Sequence, residues 1–410
     1  MNLSTPGDGL FETHVTWEEI EKDMQRELKT KAFFGPKKTA KNLADGIGYM
    51  SRIVLIEPDW QNADKQLPRR FVVKILTQLI MVKLSTDMGC ASDFPENFDG
   101  PLKKAHNTEV FVYDYLIKHA HGRVPIPKIY FMRKFDESNT IKGYIIMEYL
   151  ESVSIGFHSN VTINSVKEVF SAIAFMEAMS LRFTSEERSQ LTTTFYQKFY
   201  EQMCDDNVMA NSIERLRTIG NGKLSEKVDN LEKIAKGIMD PVKIDRLAND
   251  LGMRRVLCHG DLWTANVLWE KNGDEDLRPA AIIDFQCAHM GCPASDAVIM
   301  ILSCLNGEER RKHWKELLKH LHDKVKKEVG STEMPYTLQQ LEEAYCQTLP
   351  FMGLTFVPFA VPVLDKMSED AVNEEKREMF EALMEKTEYI LDDIVSFHER
   401  NNSMKEEQKF

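Results

Sequence analysis

The residues of this 410-residue chain that most plainly carry chemistry are His259-Gly260-Asp261-Leu262-Trp263-Thr264-Ala265-Asn266. They follow one apolar run, Arg255-Val256-Leu257-Cys258, and lead into another, Val267-Leu268-Trp269. After a polar turn containing Asn272-Gly273, the chain returns as Ala280-Ala281-Ile282-Ile283-Asp284-Phe285. Asp261 and Asn266 thus share a loop, and Asp284 caps an adjacent strand. Transfer of a phosphoryl group from ATP to a hydroxyl needs this set. Asp261 would accept the hydroxyl proton, while the Asn266 amide oxygen and the Asp284 carboxylate would hold Mg²⁺, which prefers such oxygen ligands. Singly, each residue is as readily a strand end or a turn former. The joint spacing, with an apolar strand on each side, is what points to function.

The elements that must position these groups change character along the chain. A helical pattern, Trp17 to Leu28, opens at Thr16 with Glu19 three places on, which is a capping box. From about 46 to 150 the runs are β-type: Arg52 to Ile56, Phe71 to Leu76 and Ile141 to Tyr149. Between them lie a loop rich in Asp, Pro, Asn and Gly, about Thr86 to Pro101, and a helix from Thr108 to His119. Beyond 150 the period is helical, with Val166, Val169, Phe170, Ile173, Ala174 and Met176 on one stripe of a helix over 164–181. Further helical patterns cover 297–328, 337–347 and 372–398. This order predicts an α+β chain of two lobes, a small β-rich one over 1–150 and a larger, mainly helical one over 151–410.

Composition bounds the function. Length corresponds to about 2.7 domain units. Apolar residues form 43% and charged residues 28%, which is ordinary globular usage and excludes a disordered or collagen-like chain. A net charge of −12 argues against nucleic acid as a partner. Seven cysteines without a C-x-x-C pair read as free thiols in a reducing compartment. The N-terminus lacks the basic head and apolar core of a signal peptide. The longest uncharged apolar stretch, Leu349 to Leu364, is too short to span a bilayer. The expectation is a cytoplasmic protein without a membrane span.

H-G-D-x-x-x-x-N followed by I-I-D-F resembles the aminoglycoside-phosphotransferase and choline-kinase superfamily, relatives of the protein kinases. Within it, His259-Gly260-Asp261-Leu262-Trp263 with Asp284-Phe285-Gln286 most resembles the CHK kinase-like group, also called ecdysteroid-kinase-like. The opening Thr5-Pro6-Gly7-Asp8-Gly9-Leu10-Phe11 and the overall length resemble its nematode members. The resemblance implies a bilobal protein-kinase-like fold, with ATP and Mg²⁺ as cofactors and a small alcohol as acceptor.

It also implies a strand lysine that reaches the nucleotide phosphates and is held by a helix glutamate. Lys74 fits, inside Phe71 to Leu76 and sharing a face with Val72 and Leu76. Glu109 is the matching acid, on the helix stripe with Val112, Tyr113 and Leu116; as an isolated residue it would be an ordinary N-terminal helix acid. Asp45-Gly46-Ile47-Gly48-Tyr49-Met50-Ser51 echoes the phosphate-covering loop, with Ser51 in place of the third glycine; a plain turn before a strand is the alternative. A dinucleotide-binding reading is poor, because these glycines precede a strand instead of linking a strand to a helix. Met147, Glu148, Tyr149 and Leu150 stand where the family places its interlobe hinge and its adenine contacts. His259 reads as a brace for the loop. Asp296 reads as a helix cap, and relatives use an Asp there to tie down the catalytic loop.

The sequence therefore predicts a small-molecule kinase acting on a choline-like, steroid-like or xenobiotic alcohol. A protein kinase is disfavoured by the short span from Asp284 to Asp296, which leaves no room for a peptide-docking segment. The alternative is a nucleotide-binding pseudokinase serving as an interaction scaffold.

Overall fold

The computed structural model describes residues 2–43, 50–82, 94–153, 155–203, 206–273, 276–330, 333–370 and 374–407. The chain is α+β, as expected, and divides into two compact units. The first comprises Met1–Gly122, Ile126–Glu151 and the short segment Ile283–Cys287; the second comprises Arg123–Pro125, Ser152–Ile282 and Ala288–Phe410.

The first unit is built on a five-stranded antiparallel sheet in the order Thr39–Asn42, Ser51–Glu57, Phe71–Leu76, Tyr144–Glu148, Ile129–Arg133. Every residue of Phe71–Leu76 is buried, which is why this strand reads as a continuous apolar run broken only by Lys74. Phe71, Val73 and Ile75 point to one face, where they pack in one core with Val54, Ile56, Tyr144 and Ile146 and with Ile20 and Met24 of the helix Trp17–Leu28. That helix begins as its sequence predicts: the Thr16 side chain accepts from the Glu19 N–H, and the Glu19 side chain reciprocates. Lys74 points to the opposite face.

The helix expected from Thr108 runs instead over Phe94–His119, with Pro101 inside it. The loop composition before Pro101 is overridden because Phe98 and Leu102, four positions apart on one face, are both buried. The edge strand Ile129–Arg133 gives little signal in sequence, since all five of its residues are only half-buried.

The second unit is mainly helical. Thr162 caps the helix Ile163–Ser180, and Asn306 caps Gly307–Val329. The longest helices are Leu338–Asp370 and Glu374–Glu407. Arg310 and Asp393 form a fully buried ion pair between two of these helices, at 2.6 and 2.8 Å. Two small β elements interrupt the helices. Val256–Cys258 pairs with His289–Gly291, and Val267–Lys271 pairs with Leu277–Ile282. Among the described residues no single helix is long and apolar enough to cross a membrane.

Candidate active site

Lys74 is 6% exposed, and its ammonium would be costly to bury alone. Its Nζ instead donates to Glu109 Oε1 at 2.9 Å, to Glu109 Oε2 at 2.7 Å and to Asp284 Oδ1 at 2.8 Å. The three donors of the ammonium are thereby used. Burial works against the Lys74 charge, but the Asp284 and Glu109 carboxylates together outweigh it and raise the lysine pKa. Burial likewise raises the Glu109 carboxyl, opposed by Lys74. One cation against two carboxylates leaves a local excess of negative charge.

The helix Phe94–His119 supplies more than Glu109. Tyr113, one turn on, is buried, and its hydroxyl accepts from the Asp284 N–H at 3.4 Å. Its ring lies edge-on to Phe285, with centroids 5.2 Å apart. Asp284 itself has φ +68°, a left-handed conformation that Asp adopts more readily than most non-glycine residues, and here it is in contact with Tyr113 and Lys74. In sequence Tyr113 reads only as a member of the Glu109 stripe, since a spacing of four places it on that helix face but does not reveal its contact with Asp284.

In the second unit the strand Val256–Cys258 delivers His259, which is fully buried. Gly260 turns the chain with φ +84°, a region open to glycine at no steric cost. Asp296 accepts from the His259 N–H at 2.6 Å and from the Gly260 N–H at 2.9 Å. The expectation of a helix cap at Asp296 is corrected here. Pro293 is the N-cap of Ala294–Cys304, and the Asp296 carboxylate faces the loop instead of its own helix. His259 braces the loop through Nδ1, which accepts from the Asp261 N–H at 3.3 Å.

The loop then closes on itself. Asn266 Nδ2 donates to Asp261 O at 2.8 Å and to Asp261 Oδ2 at 2.9 Å. A short helical turn, Thr264–Asn266, gives the five-residue spacing its geometry, and Trp269 Nε1 anchors that turn by donating to Thr264 O at 3.0 Å. Asp261 remains part-exposed. Val267, next after Asn266, pairs with Ile282, two residues before Asp284 in the chain.

The remaining expected residues lie in the first unit. Met147 is 8% exposed and pairs with Val72 and Ile129. Glu148 is bound to Lys128 twice, its N–H donating to Lys128 O at 2.8 Å and its Oε1 accepting from the Lys128 N–H at 2.5 Å. The Tyr149 ring lies under the Arg70 guanidinium at 4.9 Å, and Leu150 is half-buried beyond it. Ser51 opens its strand, buried and paired with Leu76. Gly46 and Gly48 lie outside the described residues.

Mg²⁺ is implied by the resemblance, and the donor chemistry fits it. The Asp284 carboxylate, part-exposed beside Lys74 in the first unit, is the oxygen donor type that Mg²⁺ takes beside phosphates.

The fold and these two clusters define an α+β protein with a buried lysine–carboxylate centre in one unit and a braced His-Gly-Asp loop in the other. The chain belongs to the family DUF1679, described as "Uncharacterized oxidoreductase dhs-27", whose model matches residues 3–402. It is similar to the Caenorhabditis elegans protein of that name, 25% identical over 332 residues, which are 77% of this chain and 38% of that protein. It is also similar to the C. elegans "Uncharacterized kinase-like protein D1044.1", 25% identical over 279 residues, 66% of this chain and 70% of that one. The chain thus spans well under half the length of the first of these relatives. Similar solved structures include a choline kinase from Cryptosporidium parvum, 12% identical, with TM-score 0.46 and coverage of 90% of this chain and 91% of that one. An aminoglycoside 2'-phosphotransferase in complex with GDP is 14% identical, with TM-score 0.43 and coverage of 93% and 99%.

Proposed function

We propose that the chain is a small-molecule kinase that transfers the γ-phosphoryl group of ATP to a hydroxyl of a small alcohol. The observation that carries this reading is the Lys74 ammonium shared between Glu109 and Asp284. A buried lysine oriented by a helix carboxylate is preorganised to meet nucleotide phosphates.

In this reading Asp261 accepts the proton of the attacking hydroxyl, oriented by the Asn266 amide and by a loop backbone that Asp296 holds still. Asn266 and Asp284 hold Mg²⁺, which when bound neutralises charge on the phosphates. Backbone groups from Glu148 to Leu150 contact adenine, with Met147 behind it. The Glu148 N–H is already given to Lys128, which leaves its carbonyl and the Leu150 backbone for the base. Gly46, Gly48 and Ser51 cover the phosphates. Residues 1–150 serve the nucleotide, and 151–410 supply the base and the acceptor contacts. The motif likeness to the CHK kinase-like group supports a choline-like, steroid-like or xenobiotic alcohol as acceptor. The five described cysteines are free thiols, in keeping with a cytoplasmic setting.

The word oxidoreductase stands in the family description and in the name of a relative of which this chain spans 38%. A nicotinamide site would need its glycines between a strand and a helix. Here Gly46 and Gly48 precede the strand Ser51–Glu57.

ATP consumption measured across a panel of alcohols, with Mg²⁺, tests the reading. Turnover on one of them supports it. Nucleotide binding without turnover on any would favour the scaffold, and no binding at all would remove the reading.

A further inference from the structure

Glu177 is an acid that the catalytic reading does not use. It lies on the apolar stripe of the helix Ile163–Ser180 and is 1% exposed. No cation pairs with it among the described residues. Its Oε2 accepts from the Tyr336 hydroxyl at 2.5 Å, and its Oε1 has no partner among those residues. Asp296, Cys258 and Cys292 also act on it or feel it; Arg255 acts on Cys292 from farther out, and the His322 ring lies 6.2 Å from that of Tyr336. A carboxylate in such a place would be stranded, so burial, reinforced by Asp296, pushes the Glu177 carboxyl well above its usual range. Both neighbouring thiols are likewise pushed up by burial.

The location links this acid to the loop that carries Asp261. Asp296 holds the His259 and Gly260 N–H groups. Three residues beyond Glu177 on the same helix, the Ser180 Oγ donates to Glu177 O at 2.7 Å and accepts from the Leu257 N–H at 2.9 Å. The backbone from Leu257 to Gly260 is therefore fastened by two side chains that flank Glu177, one on its own helix and one on the helix Ala294–Cys304.

We propose that Glu177 is a positioning residue that acts as a neutral acid: holding its proton, it spares Asp296, the anion that clamps the catalytic loop, a second charge beside it, and losing that proton loosens the loop. A second negative charge beside Asp296, with no cation paired to it among the described residues, repels the carboxylate that clamps His259 and Gly260. The inference rests on the reading of Asp261 as the catalytic base, and its test does not need turnover.

Glu177→Gln keeps the shape and cannot ionise. A carboxyl whose folded-state pKa stands above its ordinary value of 4.5 contributes its stability in full below that value and loses it as pH rises. The melting temperature of E177Q relative to wild type should therefore rise with pH from about 4.5 upward. Amide hydrogen exchange at His259 and Gly260 should match wild type at about pH 5 and be about five- to tenfold slower in E177Q at about pH 9. An E177Q penalty that grows with pH would mean that Glu177 works as an anion, and equal exchange at both pH values would mean that it does not act on the loop. Either result overturns the proposal. If E177Q fails to fold, Tyr336→Phe decides: its hydrogen bond favours the Glu177 anion, so the loss of stability should be constant from about pH 4 to 6 and grow only at the higher pH where Glu177 ionises, whereas a loss already growing between about pH 4 and 6 overturns the neutral acid. A chain that transfers no phosphoryl group to any alcohol would instead sink the kinase reading, with these measurements intact.

Discussion

Lys74 and Asp284, 210 positions apart in the chain, meet at 2.8 Å. The contact joins a central sheet strand to a residue in left-handed backbone conformation, and the same ammonium is chelated by Glu109. Two carboxylates on one buried ammonium make a centre that is structurally costly to disturb and electrostatically ready for a further cation.

Lys74→Met should therefore do two separable things. It leaves Glu109 fully buried and Asp284 partly buried without their counter-charge, which costs about 3–5 kcal/mol of stability, less in so far as solvent reaches Asp284. It should also abolish the Mg·ATP thermal shift. Denaturant titration reads the first effect and thermal melting with nucleotide the second. An unchanged midpoint would sink the role given to this ion pair.

Asp261→Asn should fold normally and still bind Mg·ATP, while phosphoryl transfer falls by on the order of 10²-fold or more. In both wild type and variant, nucleotide at about 100 times its Kd should raise stability by about 2.7 kcal/mol. Near-wild-type turnover by the variant would displace Asp261 as the base.

Asp296→Asn replaces an acceptor pair with one acceptor and one N–H donor facing the His259 and Gly260 N–H groups. Leaving one such buried N–H unsatisfied costs about 1–3 kcal/mol. Turnover should fall without loss of nucleotide binding if, as proposed, the loop carries the base. Loss of the Mg·ATP thermal shift in this variant would count against that division of roles.

His106, one turn before Glu109, is buried with Nε2 on Arg133 O at 2.9 Å, and burial holds its pKa down to about 4. The unfolded chain takes up this proton near the usual 6.5 and the folded one only near 4, so stability is lost as pH falls through that window. The shift corresponds to about 3 kcal/mol at most. A melting-temperature profile from pH 7 to 4 should fall steeply in wild type and less steeply in His106→Gln. Parallel profiles would disprove the assignment.

Lys386→Met removes the ammonium that donates to the carbonyls of Phe157, Ser159 and Ser303, at 3.0, 3.0 and 2.9 Å. The buried Ser303 carbonyl left unsatisfied costs about 1–3 kcal/mol, the part-buried Phe157 and Ser159 carbonyls less, so the denaturation midpoint should drop markedly. A small drop would mean that water replaces the lysine.

Local spacing in the sequence determined the parts of this protein that are local in space. Thr16 and Glu19 make their capping box, Asp261 and Asn266 close one loop across five residues, and strand alternation puts Lys74 on the face opposite Phe71 and Val73. These follow from φ/ψ and hydrogen-bond geometry within a turn or a strand, which neighbouring residues suffice to set. Tertiary packing decided the rest. Only the folded chain brings Asp284 onto Lys74, turns Asp296 from its own helix to the His259 loop, and extends the helix before Thr108 back to Phe94 by burying Phe98 and Leu102. An acid such as Glu177 reads in sequence as an ordinary helix residue. Its proposed neutral state depends on its burial without a cation paired to it among the described residues, a condition of three-dimensional packing that no spacing along the chain encodes.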